Sequence, residues 1–200
     1  MWGMTRTRGR LIAVEGIDQA GKLTQANLLA AKLERMSNRV SVWNFPDYST
    51  PIGKQLRNYL RGSVRMDWHA VHLLYAANKW EVAEKLRSKI EGGEFVIVNR
   101  YTASNLAYGV AHGLPRDWLL GLEEELPKPD LVVVLDVSPR TSRLRKRRGR
   151  DVHESDLTYL TKVRRAYRHL AKTYGWNIVD GRGSREHVKR RVWERVENVV

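Results

Sequence analysis

The sequence predicts an α/β fold, in which helices cover both faces of a parallel β-sheet. Short apolar runs alternate with longer segments of helical periodicity along the whole chain, which is the pattern of strands joined by helical crossovers. The run "DLVVVLDV" is apolar at successive positions, as expected for a strand that is buried on both faces. No repeat, low-complexity segment or linker divides the sequence, so we expect one domain over residues 1–200, with residues 1–9 as a loose lead-in.

The first half of the chain is predicted to contain two strands and three helices. "LIAVEG" (11–16) is a short apolar run that ends at glycine, and "KLTQANLLAAKLERM" (22–36) follows with apolar residues at helical spacing. "VSVWNF" (40–45) is the second strand. "PIGKQLRNYLRG" (51–62) starts with proline, which suits a first helical turn, and stops at glycine. We expect residues 68–93, which two glycines close, to form one long helix.

The second half continues the alternation. "FVIVN" (95–99) and "DLVVVLDV" (130–137) are predicted strands on either side of a helix at 116–126. A helix at 155–175 ends at glycine and leads into the last strand, "WNIVD" (176–180), and the residues from "SREHV" onward form the last helix. The loop after the first strand should therefore lie at the carboxyl edge of the sheet, where such folds bind ligands.

The composition favours a cytoplasmic protein with anionic partners. No apolar run is long enough to span a bilayer, and the basic start "MWGMTRTRGR" lacks the apolar segment of a signal peptide. The absence of cysteine excludes disulfides, thiol catalysis and cysteine-based zinc sites, and the six histidines form no recognisable metal pair. A formal net charge of +14 favours nucleotides or nucleic acid as partners, so nucleic-acid binding is the first alternative to a nucleotide site.

The stretch "EGIDQAGKLT" (15–24) has the spacing of a phosphate-binding loop. Glycines let the backbone amides wrap an anion, the following helix points its positive end at the phosphate, and Lys22 adds charge near the β- and γ-phosphates. The alternative is a glycine-rich turn without a ligand. Leu23 stands where a hydroxyl normally touches Mg²⁺, with Thr24 one place later, so the metal must depend more on phosphate oxygens, water and other side chains. The expected ATP-binding residues here are Gly16, Ile17, Asp18, Gln19, Ala20, Gly21, Lys22, Leu23 and Thr24.

Four further stretches resemble thymidylate kinases: "FPDYSTPIGKQLRNYL" (45–60), "HLLYAANKWE" (72–81), "NRYTASNLAY" (99–108) and "LPKPDLVVVLDV" (126–137). The resemblance covers nearly the whole chain after residue 10, in the correct order. It implies a P-loop kinase fold, with a five-stranded parallel sheet, helices on both faces and a short lid. It also implies transfer of the γ-phosphoryl group of ATP to dTMP, giving dTDP for dTTP synthesis, with Mg²⁺ as the cofactor.

The resemblance implies a role for each matching residue near the base and sugar. Asp18 corresponds to the carboxylate that binds the sugar 3′-hydroxyl, although it could also cap the turn or helix. Phe45 corresponds to the aromatic ring that stacks on thymine, with Pro46 shaping the turn; a core role for Phe45 is the alternative. Lys79 stands where the family usually has an arginine against the thymine carbonyl, and it supplies a point-like donor instead of a planar fork.

The stretch after residue 99 supplies the other dTMP contacts that the resemblance implies. Arg100 corresponds to the arginine that grips the dTMP phosphate, although an arginine at a strand end could be only an ion-pair partner. Tyr101 corresponds to the ring that crowds the sugar C2′ and disfavours ribonucleotides. Asn105 and Tyr108 fall where the family lines the thymine pocket.

The basic segment "RLRKRRGRDVHE" corresponds to the family's lid over ATP, which we expect at 143–153. Family members place a catalytic arginine either in the phosphate loop or in the lid, and here the loop position holds Gln19. Arg145, Arg148 and Arg150 are therefore the candidates: Arg145 for ATP binding, and Arg148 and Arg150 for catalysis beside Lys22, Arg100 and Asp18. A basic helix end or a nucleic-acid patch is the alternative for this segment.

Three departures from the family pattern accompany Leu23. Asn99 replaces an aspartate that organises Mg²⁺ through water, so we expect only a weak, water-mediated metal contact there. Tyr48 replaces an arginine near dTMP, and Gly109 replaces a glutamine of many bacterial members. The alternatives to dTMP phosphorylation are a broader deoxynucleoside monophosphate kinase and a catalytically impaired nucleotide- or nucleic-acid-binding homologue. We expect ATP and dTMP as partners, no membrane or nucleic-acid partner, and a homodimer.

Overall fold

A computed structural model describes residues 8–145 and 156–200 of the chain. Five strands form one parallel sheet, and each agrees with a predicted strand to within one residue at either end. They are β1 (Leu11–Glu15), β2 (Val40–Asn44), β3 (Phe95–Asn99), β4 (Leu131–Asp136) and β5 (Asn177–Asp180). Their spatial order is β2-β3-β1-β4-β5.

Helices connect the strands, and a short 3₁₀ turn at Glu197–Val199 follows the last of them. The helices are α1 (Lys22–Arg35), α2 (Pro51–Leu60), α3 (Trp68–Trp80), α4 (Ala83–Glu91), α5 (Thr102–Ala111), α6 (Arg116–Gly121), α7 (Pro139–Arg145), α8 (Leu157–Tyr174) and α9 (Arg185–Val196). Among the described residues, no helix combines the length and the apolar character that crossing a membrane requires.

Strand β1 lies at the centre of the sheet, between β3 and β4. Successive side chains of a strand point to opposite faces, and both faces of β1 are covered. Ile12 and Val14 pack in a cluster with residues of α1, α8 and α9, whereas Leu11 and Ala13 pack in a second cluster with Leu86 of α4. The predicted sheet with helices on both faces is therefore confirmed.

Residues 68–93 form two helices, so the prediction of one long helix was wrong. The helical path is interrupted at Glu81 and Val82. The Glu81 carboxylate accepts hydrogen bonds from the Ile52 N–H at 3.1 Å and from the Asn78 amide at 3.0 Å, which ties the end of α3 to α2. Helix α3 packs on α2 and α5 while α4 packs on β3, so the two pieces follow different neighbours.

Two other helical predictions differ from the structure. The helix predicted at 116–126 ends as α6 at Gly121, and α5 was not predicted. Helix α5 is buried over seven consecutive residues, 103–109, and two of these are the polar residues Ser104 and Asn105. Because buried polar residues interrupt the apolar spacing, the periodicity gives little sign of this helix.

The predicted lid at 143–153 begins inside α7, whose last residue is Arg145. The rest of the predicted lid, including Arg148 and Arg150, lies outside the described residues, as does most of the lead-in at 1–9.

Candidate active site

A cavity of about 300 Å³ lies at the carboxyl edge of the sheet, beside the loop that follows β1. Every residue that the resemblance assigns to dTMP lines this cavity: Asp18, Phe45, Pro46, Lys79, Arg100, Tyr101, Asn105 and Tyr108. Leu23 and Asn99, the altered positions of the expected metal environment, line it as well. Sequence reasoning gave no role to five other residues of its wall: Asn44, Leu60, Tyr75, Asn78 and Ser104.

The phosphate loop joins β1 to α1 in a conformation that depends on glycine. Gly16 has a φ of 132° and Gly21 a φ of 96°, both outside the range that other residues favour. A Cβ added to Gly16 would also lie 2.5 Å from the Leu135 carbonyl oxygen. Gln19 has a φ of 57°, which is uncommon for a residue with a side chain. The motif therefore has the wrapped backbone that an anion-binding loop requires.

Lys22 lies inside the curve of this loop. Its side chain is only 6% exposed, and its ammonium donates to the carbonyl oxygen of Ile17 at 2.8 Å. A buried cation is costly unless it is hydrogen-bonded, so the loop and the lysine hold each other in place. The arrangement presents one positive group where the loop is shaped for phosphate.

Helix α7 holds the outer side of the phosphate loop. The Ser142 hydroxyl donates to the Asp18 carbonyl oxygen at 2.6 Å. The Arg145 guanidinium donates to two further carbonyl oxygens of the loop, at 2.9 and 3.1 Å, and to the Gly181 carbonyl oxygen at 2.8 Å. Arg145, predicted to bind ATP, thus contacts the loop that would carry the phosphates and the turn after β5.

Asp18, Arg100 and Tyr108 form a hydrogen-bonded cluster between the loop and the cavity. The Asp18 carboxylate accepts from the Arg100 guanidinium and, at 2.7 Å, from the Tyr108 hydroxyl. Arg100 has a φ of 64°, and such strained backbone is found most often at functional sites. Burial acts to lower the pKa of Arg100, but Asp18 and Tyr108 together raise that pKa well above its ordinary value. The guanidinium is therefore a permanent cation on the cavity wall.

The opposite end of the cavity is aromatic, with one buried ion pair. The rings of Phe45 and Tyr101 are 5.7 Å apart at an angle of 46°. The Lys79 side chain is 3% exposed, and its ammonium donates to Glu123 Oε1 at 2.7 Å and to the Tyr75 carbonyl oxygen at 2.9 Å. Burial raises the pKa of Glu123 above its ordinary value, although the Lys79 ammonium opposes that rise.

Asn105 joins the same buried network. Its amide nitrogen donates to Glu123 Oε1 at 2.9 Å and to the His72 carbonyl oxygen at 3.3 Å. Its amide oxygen lies 2.6 Å from His72 Nδ1. Two of the residues predicted to line the base pocket, Lys79 and Asn105, are therefore fixed by Glu123, which no local motif singled out.

Glu15 is a second carboxylate that sequence reasoning missed. It is fully buried at the end of β1, and it accepts from the Tyr101 N–H at 2.7 Å and the Ser104 hydroxyl at 2.5 Å. The Tyr167 hydroxyl also donates to it, at 3.0 Å. This carboxylate fixes the chain next to Arg100. An acidic residue that ends an otherwise apolar buried strand was the available signal.

Few protein oxygens are placed to hold a metal ion beside the phosphate loop. The Asn99 amide nitrogen donates to Asn44 at 3.1 Å, whereas its buried amide oxygen has no hydrogen-bond partner among the described residues. Leu23 is 45% exposed and offers no ligand. The described part of the chain contains no group of three or more His, Asp or Glu side chains that could hold an ion. So few protein ligands are sufficient for Mg²⁺ that is already bound to ATP, because Mg²⁺ keeps several waters and binds through phosphates and few side chains.

The sequence matches the family model described as thymidylate kinase over residues 14–192. It is 35% identical to a thymidylate kinase of Schizosaccharomyces pombe, covering 97% of this chain and 94% of that one. It is also 35% identical to a thymidylate kinase of Homo sapiens, covering 92% of this chain and 88% of that one.

A solved structure of a thymidylate kinase from Candida albicans has a TM-score of 0.86 with this chain at 33% identity, covering 96% of this chain and 92% of that one. That structure was described as revealing the origin of broad substrate specificity. The match confirms the P-loop kinase fold that the phosphate loop and the strand order indicate. Sequence, fold and site agree in one conclusion: the chain belongs to the thymidylate kinase family.

Proposed function

We propose that this protein transfers the γ-phosphoryl group of ATP to dTMP, giving dTDP and ADP. The observation that carries the proposal is the cluster of Asp18, Arg100 and Tyr108, which lies between the phosphate loop and the aromatic cavity. A donor phosphate in the loop and an acceptor phosphate at the cavity mouth would meet at this cluster. Phosphoryl transfer requires little more than such positioning and charge neutralisation.

On the donor side, we assign the ATP phosphates to the loop and to Lys22. The ammonium of Lys22 already lies within the loop, 2.8 Å from the Ile17 carbonyl oxygen. A short movement of this ammonium toward the transferring phosphoryl group would bring it to the oxygens on which negative charge develops. Arg148 and Arg150, which lie outside the described residues, are assigned the role of the lid arginines, because an arginine at the transferring phosphoryl group would neutralise the same charge.

On the acceptor side, we assign the dTMP phosphate to Arg100 and the sugar 3′-hydroxyl to Asp18. The guanidinium is already paired with Asp18, so an incoming phosphate must share or replace that carboxylate. A charged pair of this kind orients the arginine before the substrate arrives. The dTMP phosphate is itself the nucleophile and carries negative charge, so no protein base is needed.

Mg²⁺ would be held mainly by the ATP phosphates and water, with the amide oxygen of Asn99 as the protein group assigned to it through water. When bound, the ion would neutralise part of the charge on the transferring phosphoryl group. Asn99 contributes a neutral oxygen, and Leu23 contributes none, so the protein's own share of the ion binding is small.

Restoring both missing groups, by Leu23→Thr and Asn99→Asp, is expected to tighten the apparent Mg²⁺ affinity. The two changes act on one ion, so their effects should be coupled and not additive. Leu23 is exposed, so its replacement removes little packing. A Mg²⁺ titration of dTMP kinase activity on the parent, both single variants and the double variant measures the effect. A folded double variant with the parent's Mg²⁺ dependence would assign the metal to other residues.

The expected homodimer is assigned to the outer face of α3. Leu73 and Trp80 are two helical turns apart and are 47% and 38% exposed. Apolar side chains on one exposed helix face are typical of an interface between protein chains. The parent is expected to sediment as a dimer, and Leu73→Glu should shift it toward the monomer. A parent that sediments as a monomer at micromolar concentration would contradict this assignment.

The function is tested by a coupled assay with ATP and Mg²⁺ across all common nucleoside monophosphates. We expect dTMP to give the highest kcat/KM, because the lysine and amide of the base pocket are held in fixed positions. A protein that turns over several deoxynucleotides equally well would be the broader kinase. A folded protein without turnover of any of them would be an impaired homologue.

A further inference from the structure

We propose that the outer face of α8 is a binding surface for the phosphate backbone of double-stranded nucleic acid. This surface, the α8 face, consists of the exposed cations Lys162, Arg165, Arg168 and Lys172. The proposal concerns a second function and does not depend on the kinase assignment. It differs from the expectation drawn from the sequence, because the sequence alone does not show which of the many cations have a partner.

Helix α8 and the helices beside it contain no acidic side chain. Helix α8 spans 18 residues without an aspartate or a glutamate. Helices α5 and α7, which both pack against α8, lack acidic residues as well. Exposed helices usually carry charges of both signs, which then pair along the helix. The positive charge of α8 therefore has no compensating carboxylate on α8, α5 or α7.

The cations of the α8 face form one row along the helix. At about 100° per residue, the four side chains fall within an arc of about 120°. The opposite side of α8 is buried, with Val163 and Tyr167 in the core. Lys162 and Lys172 are about 15 Å apart along the axis, at about 1.5 Å per residue. A row of this length can contact several phosphates of a duplex, which follow one another at about 3.4 Å per strand.

Most of these cations have no partner within the protein. Among the described residues, the two lysines and Arg165 make no side-chain hydrogen bond or ion pair. Arg168 lies 3.9 Å from Asp136, but Arg164 already donates to both oxygens of that carboxylate, at 2.5 and 2.9 Å. The α8 face therefore offers three cations that can bind a phosphate without the loss of a contact inside the protein.

The chemistry of the α8 face favours nucleic acid over a protein or a membrane. The other exposed residues between Lys162 and Lys172 include no apolar side chain, and the apolar side of α8 is buried in the core. Interfaces between proteins have an apolar or aromatic centre, and a helix that lies on a membrane needs an apolar face. Binding to a phosphate backbone needs only cations, because its free energy comes from the release of counterions.

A duplex suits the α8 face better than a single strand. Proteins that bind single strands without sequence preference combine cations with aromatic side chains on which the bases stack. Tyr174, the exposed tyrosine of α8, lies on another side of the helix, where it lines a cavity with Leu106 and Leu126. A duplex also has the higher density of negative charge. A row of cations without an aromatic platform therefore indicates contact with the backbone of a duplex.

The α8 face is separated from the candidate active site by the helix itself. From the buried side of α8, the Tyr159 hydroxyl donates to the Tyr108 carbonyl oxygen at 3.1 Å, and the Tyr167 hydroxyl donates to Glu15 at 3.0 Å. Both tyrosines lie on the side of the helix opposite to the cations. The cations have no part in the ATP and dTMP contacts assigned above, so their removal tests the second function separately.

The test is the fluorescence anisotropy of a labelled DNA duplex of about 20 base pairs, which is longer than the α8 face. The full chain is titrated into the duplex at several NaCl concentrations. The α8 variant combines Lys162→Gln, Arg165→Gln and Lys172→Gln. All three side chains are exposed, so their replacement removes little packing. Thermal unfolding of each variant measures whether it is folded.

The control variant removes the same charge elsewhere. It combines Arg35→Gln on α1 with Arg190→Gln and Arg195→Gln on α9, all at exposed positions. Both triple variants lower the formal net charge of +14 by the same amount. Helix α9 also contains glutamates among its cations, which makes it a basic helix of the mixed kind. The comparison therefore separates the α8 face from the overall charge of the protein.

We expect the parent to bind the duplex at about 0.1 M NaCl, with an affinity that falls as the salt concentration rises. The α8 variant should lose about 10-fold or more of this affinity. Its plot of log K against log [NaCl] should be less steep by about 2 to 3, or about one for each phosphate contact removed. The control variant should stay within about 3-fold of the parent, because charges distant from the duplex are screened at this ionic strength.

Equal losses of affinity in the two triple variants would overturn the proposal, since binding would then reflect net charge alone. A parent that does not bind the duplex at about 0.05 M NaCl would also overturn it. So would tighter binding to a single strand of the same length, or binding to vesicles of anionic phospholipid without binding to the duplex. If the α8 variant does not fold, the single variants Lys162→Gln and Arg165→Gln provide the test, since each should lower the slope by about one.

Discussion

Replacing Lys22 by alanine is expected to lower kcat for dTMP phosphorylation by about 10²-fold or more, on the scale of losing one preorganised charged donor. The ammonium lies inside the loop that is shaped for the ATP phosphates, and it is almost fully shielded from water. Its attraction to the transferring phosphoryl group is therefore stronger than that of a surface lysine. Steady-state kinetics with saturating ATP, Mg²⁺ and dTMP measure this loss.

The same lysine also supports the loop, so the experiment must separate charge from structure. Lys22→Met keeps most of the side-chain volume and removes the charge and the hydrogen bond to the Ile17 carbonyl oxygen. Lys172→Ala, at an exposed site near the end of α8, controls for the removal of one positive charge from a chain of net charge +14. An unchanged kcat in a folded Lys22→Met variant would remove this loop from the mechanism.

Replacing Arg100 by alanine is expected to raise KM for dTMP and to lower kcat/KM by about 10²-fold, the scale of losing a buried charge-assisted contact. Two effects act in the same direction. The dTMP phosphate loses a cation, and the Asp18 carboxylate loses the partner that compensates its charge, so it repels the incoming phosphate. KM for ATP should stay near the parent value, because the phosphate loop is not altered.

Arg116→Ala is the matched control for Arg100, since it also removes an arginine paired with an aspartate, but on the exposed surface of α6. It should leave the kinetics of both substrates unchanged, as exposed ion pairs contribute little. Asp18→Asn in the Arg100→Ala background should recover part of the dTMP affinity by removing the repulsion. If Arg100→Ala weakens only ATP binding, the two nucleotides are placed the wrong way round.

Local sequence was sufficient for the sheet and for the phosphate loop. A buried strand is short and apolar, so the run from Leu11 and the run from Phe95 indicate their structure without reference to any neighbour. The phosphate loop is equally local, because its glycines and Lys22 act on one another within a few residues. The family resemblance rests on such local stretches, and the residues that it assigns to dTMP all line one cavity.

The tertiary structure decided where helices are interrupted and which polar residues are buried. The break at Glu81 and Val82 follows from a hydrogen bond to α2. The apolar periodicity of residues 68–93 gives no sign of that contact. Helix α5 was not predicted for a related reason. Its polar residues Ser104 and Asn105 can be buried because they form hydrogen bonds with the carboxylates of Glu15 and Glu123, which are distant in sequence.

The partnership of Lys79 with Glu123 is the clearest case of a property that no local pattern contains. Read along the chain, Lys79 is a lysine near the end of a helix, and Glu123 is the first of three glutamates in "GLEEEL". Both would ordinarily be exposed, since charged side chains are rarely buried unless paired. The fold brings the two together inside the molecule, where each makes the burial of the other tolerable. A charge is buried or exposed according to its partners in space, and those are set by the packing of α3 against α5 and the segment after α6.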